Sequence, residues 1–212
     1  MRKILRLGFL ASGRGSNVRA IVEACRDGRL PATPVVLICN NAQAGVLTLA
    51  RSTELPARHL SGTTHPDPAA LDQAICATLR EYAVDLVVLA GYMKKLGPAT
   101  LQAYHHRIIN IHPALLPRFG GQGMYGLAVH EAVLRAGERE SGATVHLVEG
   151  DYDRGRVLAQ RRVPVLAGDT AQALAARVLE AEHVLYVETL RRILTGEIAL
   201  PGWDRETQPQ QP

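Results

Sequence analysis

DLVVLAGY (85–92) is apolar at nearly every position, and RIINI (107–111) nearly so. Such strands have no wet face, so helices must cover them on both sides, as in a mostly parallel sheet. The rest of the chain keeps the matching rhythm. LRLGFLA (5–11) reads as a strand, followed by a helix from about Ser16 to Asp27 with Val18, Ile21, Val22 and Cys25 on one side. PVVLICN (34–40) is a second strand. NAQAGVLTLARST (41–53) reads as a helix with Gly45 as an interior weakness. LPARHL carries a short strand, and a helix follows from about Pro68 to Tyr82, with the proline in its first turn. A short helix starts after Pro98, and RIINIHP is the fifth strand. MYGLAVHEAVLRAG (124–137) is a helix stopped by Gly137. ATVHLVEG (143–150) and VLAQRRVPV (157–165) form an antiparallel pair around a tight turn at Asp151 to Gly155. Asp169 or Thr170 caps a last helix reaching about Thr195. The expected fold is α/β: a doubly wound, mostly parallel sheet with an antiparallel extension near the C-terminus. A single domain is expected over residues 1–196. Residues 197–212 form a tail, partly disordered, whose end RETQPQQP is polar and Pro-rich.

Composition narrows the function. Lys plus Arg number 24 and Asp plus Glu 20, a net charge of +4. That is too small and scattered for a nucleic-acid surface, but it suits a small phosphorylated ligand. Three cysteines, Cys25, Cys39 and Cys76, give neither a disulfide framework nor a metal-ligand spacing. They read as buried small side chains in a reducing compartment. The N-terminal MRKILRLGFLASGRG starts like a signal peptide, but Arg6 breaks its apolar run. No stretch is long enough for a membrane span. A cytoplasmic protein without membrane or nucleic-acid partners is expected.

Three motifs carry chemistry. INIHPALLP (109–117) places Asn110 and His112 two residues apart, on one face of a strand end that Pro113 and Pro117 terminate. An α/β enzyme presents reactive groups at such a carboxyl end. SGRGSN (12–17) follows the first strand and opens the first helix, where backbone N–H groups favour an anion. It lacks the third glycine of a dinucleotide fingerprint, since position 18 is Val18, and it lacks the Gly-Lys of a Walker loop. A smaller phosphorylated ligand fits, although a plain tight turn has the same residues. EGDYDRG (149–155) carries Glu149, Asp151 and Asp153, one of which can orient an imidazole; an ordinary hairpin turn is the alternative. Among eight histidines there is no HExxH pattern and no metal site is expected. His146 reads as a packing histidine, and His130 and His183 as ordinary helix residues.

SGRGSN, VLAGYMKKL (88–96), NIHPALLP and SGATVHLVEGDYDRG occur in that order. Together they resemble the phosphoribosylglycinamide formyltransferases, the folate-dependent glycinamide ribonucleotide transformylases of purine synthesis, over about Lys3 to Gly196. NIHPALLP alone points only to the wider group of 10-formyltetrahydrofolate transferases and hydrolases. The resemblance implies a Rossmann-like formyltransferase fold with Asn110, His112 and Asp153 as the catalytic trio. It implies that Gly13, Arg14, Gly15, Ser16 and Asn17 hold the substrate phosphate and that Glu182 binds the ribose. Met93, Lys94 and Leu96 would line the folate pocket, and Val148 to Asp153, with Glu149, would surround the pterin. 10-Formyltetrahydrofolate is the implied co-substrate, glycinamide ribonucleotide the acceptor, and no metal is needed. A homodimer is left open.

The chain departs from that pattern in places. Arg154 stands where a glycine commonly follows the aspartate, so a positive φ there would be strained. Lys95 replaces a common apolar residue. RFGGQGMYG (118–126) matches only some members, and Pro68 stands where some carry an arginine.

The implied reaction is direct formyl transfer, with Asn110 and a protonated His112 stabilising an oxyanion and Asp153 raising the pKa of His112. No covalent intermediate is expected. The alternative is a 10-formyltetrahydrofolate hydrolase, whose relatives carry an N-terminal regulatory domain that a first strand starting at about residue 4 is expected to exclude. Transfer to aminoacyl-tRNA or a sugar nucleotide is expected to need further C-terminal sequence. A non-catalytic nucleotide-binding module would not need all three polar residues.

Overall fold

A computed structural model describes residues 4–202. Its elements run β1 (Leu5–Ala11), α1 (Ser16–Arg26), β2 (Ala32–Cys39), α2 (Gly45–Ser52), β3 (Ala57–His59), α3 (Pro68–Glu81) and β4 (Leu86–Leu89). They continue with α4 (Pro98–Ala103), β5 (Ile108–His112), α5 (Leu127–Arg135), β6 (Glu140–Leu147), β7 (Val157–Pro164) and α6 (Ala171–Thr195). One seven-stranded sheet has the order β3-β2-β1-β4-β5-β6-β7. The pairs from β3 to β5 are parallel, and β5–β6 and β6–β7 are antiparallel. This is the doubly wound sheet with a C-terminal antiparallel extension that the apolar runs imply.

Alternation along the buried strands feeds two cores. Leu86 and Val88 of β4 join Leu7 and Phe9 of β1 under α1, α5 and α6. Val87 and Leu89 join Leu10 of β1 and Ile108 of β5 under α3. Burial of each such side chain stabilises the fold by roughly 1.5–3 kcal/mol. Chain order reverses between β1 and β4, which opens a crevice at their carboxyl ends. Tyr186 of α6 fixes one wall of that crevice. Its ring is fully buried, and its hydroxyl lies 2.9 Å from the Leu89 carbonyl and 3.1 Å from that of Ile109. One phenolic proton is thus shared by the ends of two neighbouring strands.

Several boundaries differ from the sequence expectation. α2 begins at Gly45 with Ala44 as its N-cap, so the glycine opens the helix rather than weakening its interior. α5 begins at Leu127, because Gly121, Gly123 and Gly126 all have positive φ and hold the preceding segment as a loop. Residues 148–156 form a long loop between β6 and β7 rather than a tight turn. Beyond α6, Ile198 and Leu200 are buried against the core. The expected polar end, RETQPQQP, lies outside the described residues.

Candidate active site

The loops after β1 and β4 are joined at the crevice. Ser12 N donates to the Gly91 carbonyl at 2.9 Å, and Met93 N donates to Ser12 Oγ at 2.8 Å. Gly15 has φ 77° and ends the loop as the N-cap of α1. A Cβ on it would lie 2.3 Å from Val46 Cγ2, so only glycine fits. Gly13 is exposed, and its carbonyl accepts from Val46 N at 3.1 Å. No side chain caps α1, which leaves its first-turn N–H groups directed at the crevice. Ser16 is half-buried at the helix start, and Arg14 is exposed at the crevice rim.

Asn17 is turned inward instead. Its Nδ2 donates to Glu182 Oε2 of α6 at 2.8 Å, while its Oδ1 is enclosed without a partner among the described residues. The Glu182 carboxyl is buried, which pushes its pKa up to about 7 although the Asn17 bond favours the ionised form.

Asn110 and His112 share one end of a cleft of about 620 Å³, which Arg14, Asn17 and Glu182 line elsewhere. Asp153 reaches the same place from the 148–156 loop. Its Oδ2 lies 3.4 Å from His112 Nδ1 and accepts from Gly121 N at 2.9 Å. His112 Nε2 lies 2.7 Å from the Phe119 carbonyl, so that nitrogen carries a proton. The three residues that the family resemblance groups are therefore neighbours.

The charge expected on His112 is corrected. The ring is 3% exposed, and burial lowers its pKa below the usual 6.5; Asp153 and the Phe119 carbonyl oppose that effect without overcoming it. Burial would raise the Asp153 carboxyl, but the His146 and His112 rings beside it and the Gly121 amide that donates to it together hold it below the ordinary value. The ligand-free pair is thus an ionised carboxylate facing a neutral imidazole.

The strain anticipated at Arg154 falls one residue earlier. Asp153 itself has φ 55°, and Arg154 is not among the positive-φ residues. Aspartate tolerates this region better than most side chains, so the turn forms without a following glycine.

His146 was missed by the sequence reading. It stands on β6 opposite Asn110, and its Nε2 lies 3.1 Å from Asn110 Nδ2 and 3.5 Å from Asp153 Oδ1. Its Nδ1 lies 2.8 Å from the Leu147 carbonyl, which places the proton on Nδ1 and leaves Nε2 to accept from Asn110. Alternation in ATVHLV identifies a buried position; only the register of β6 on β5 reveals what the ring touches.

Lys94, Leu96, Val148 and Asp153 line a second, smaller cavity of about 60 Å³ beside Asn110. Met93 is exposed and lines the larger cleft. Glu149 lines neither: it is engaged by His106 Nδ1 at 3.1 Å. Lys95 also lines the small cavity, 3.6 Å from Asp151 Oδ1 and over the Tyr152 ring. Among the described residues, no group of three or more His, Cys, Asp or Glu side chains is disposed to hold a metal ion.

Residues 5–190 match the family model described as formyl transferase. The chain is 44% identical over 205 residues to "Phosphoribosylglycinamide formyltransferase, chloroplastic" of Vigna unguiculata, covering 96% of this chain and 64% of that protein. It thus spans just under two thirds of that relative's length. It is 38% identical to the Escherichia coli (strain K12) phosphoribosylglycinamide formyltransferase, covering 90% of this chain and 88% of the relative. The fold superposes on the crystal structure of glycinamide ribonucleotide transformylase 1 from Symbiobacterium toebii with a TM-score of 0.86 and 40% identity, over 94% of this chain and 92% of that one.

Proposed function

The chain belongs to the formyl transferase family, and on that premise we propose that it moves a formyl group from 10-formyltetrahydrofolate to the amine of 5'-phosphoribosylglycinamide in de novo purine synthesis. The products are formylglycinamide ribonucleotide and tetrahydrofolate. One observation carries this reading: a single cleft has an uncapped helix N-terminus and a buried carboxylate at one end and an amide, an imidazole and a second carboxylate at the other. That arrangement suits an acceptor with a phosphate and ribose at one end and a nucleophilic amine at the other. The proposal includes one formyltransferase domain over residues 1–196 and a cytoplasmic setting. No helix among the described residues is long and apolar enough to cross a membrane.

In this reading the acceptor amine attacks the formyl carbon. The new C–N bond forms as the carbonyl π pair moves onto oxygen. Asn110 has two amide hydrogens; His146 holds one, and the other is offered to the oxyanion. His112 begins neutral. With Asp153 beside it, it takes up the proton that the amine loses, directly or through water. The resulting imidazolium has two acceptors in place, the Phe119 carbonyl and the Asp153 carboxylate. Collapse breaks the bond to folate N10, which receives that proton. The smaller cavity and the 148–153 loop receive the pterin.

Release of tetrahydrofolate by the purified protein, with and without glycinamide ribonucleotide, tests the reading. Release only with the acceptor is expected. Equal release without it would assign a hydrolase. No release, with both ligands bound, would assign a binding module.

A further inference from the structure

His130 has no role in the mechanism above, yet it lines the same cleft. It lies on α5, is 4% exposed, and its Nδ1 is enclosed without a hydrogen-bond partner among the described residues. Leaving a polar ring atom enclosed and unpaired is costly, so a ring held this way beside a ligand cleft calls for an explanation in the ligand. Two relations locate it. His112 lines the same cleft as His130. Its helix packs on α6, which carries Val178 and Glu182 of the same cleft wall. The ring therefore belongs to the wall that runs from the sugar side to the reaction side.

Resting on the acceptor assigned above, we propose that His130 is a specificity-determining residue that hydrogen-bonds the amide in the acceptor's glycinamide arm. Between the ribose and the attacking amine, the acceptor has one polar group, an amide with a donor N–H and an acceptor carbonyl. A neutral imidazole, which has one donor and one acceptor nitrogen, is the matching partner. Burial disfavours the imidazolium at this position. The match selects for an amide-linked acceptor over a sugar phosphate without that arm, because such a ligand leaves the ring nitrogen unpaired.

Two ligands and two variants test this. Glycinamide ribonucleotide contains the amide; ribose 5-phosphate engages only the phosphate and sugar end. His130→Leu should weaken binding of glycinamide ribonucleotide and raise its KM by roughly tenfold or more. Its affinity for ribose 5-phosphate and its KM for the folate should stay near wild type. His130→Asn, which keeps a polar atom near the Nδ1 position, should recover most of the loss. Wild-type KM for the acceptor in His130→Leu, or an equal loss of ribose 5-phosphate binding, overturns the proposal. A measurement on the unaltered protein covers a variant that does not fold: the 15N resonances of the His130 ring should shift on adding glycinamide ribonucleotide and not on adding ribose 5-phosphate. Absence of that difference also overturns it. A wild-type protein with no acceptor-dependent turnover would instead defeat the function assigned above.

Discussion

His146 Nε2 lies 3.1 Å from Asn110 Nδ2, across the antiparallel pairing that sets the two residues opposite each other. The Leu147 carbonyl fixes the ring's tautomer, and the ring in turn fixes which way the Asn110 amide faces. His146 is thus a positioning residue. His146→Phe keeps an aromatic ring but removes the acceptor. It should lower kcat roughly ten- to a hundredfold, less than loss of an oxyanion donor itself, with both KM values near wild type. His146→Gln, whose side-chain oxygen can accept from Asn110, should recover part of the rate. A Phe variant with normal kcat removes this role.

Asp153→Asn isolates the charge of the carboxylate. Asparagine tolerates a φ of 55° as well as aspartate does, so the turn should persist. The His112 imidazolium would lose its charged partner at 3.4 Å. kcat should fall on the order of a hundredfold or more, with folate binding mostly retained. Arg154→Gly is the companion test. Arg154 is exposed and does not occupy the left-handed position, so glycine there should change kcat by no more than about twofold. A large effect at 154 together with a small one at 153 would reverse the assignment.

What the sequence reveals and what it hides have physical causes. Apolar runs such as DLVVLAGY reveal buried strands because burial on both faces leaves no alternation. Asn110 and His112 are legible as a pair because strand geometry fixes residues i and i+2 relative to each other. Asp153 is recognisable only by family resemblance, since its approach to His112 depends on a loop closing over the sheet. His146 is invisible for a related reason: its partner is set by strand register, which no local pattern encodes. The charge on His112 was misjudged because sequence shows a carboxylate to pair with but not the depth of burial, and here burial is the larger effect.

Gly15→Ala should be damaging for two separate reasons. The φ of 77° suits glycine, and the added Cβ would meet Val46 Cγ2 at 2.3 Å. Either the loop after β1 or α2 must move. A loss of more than about 1 kcal/mol in stability is expected, read from denaturant midpoints. KM for the phosphorylated acceptor should rise, while KM for the folate, which the proposed reading seats in the smaller cavity, should not. A rise confined to the folate would contradict the placement of the anion site.

Glu182 gives the pH prediction. Burial raises its pKa from 4.5 to about 7, so between those values the folded protein holds a proton that the unfolded chain has released. By linkage, this contribution is fully present below 4.5 and is lost as pH rises through 7. The lowered pKa values of His112, His130 and His183 have the opposite slope, costing stability as pH falls below about 6.5. The variant and wild type must therefore be compared at the same pH. Glu182→Gln resembles the protonated acid and can still accept from Asn17 Nδ2. It should match wild type near pH 4.5 and exceed it at pH 8 by up to about 3 kcal/mol, in urea denaturation at both pH values. With the ribose placed at Glu182 as proposed, the acceptor KM should rise. A stability difference that does not change between the two pH values would show that Glu182 does not titrate as a buried acid.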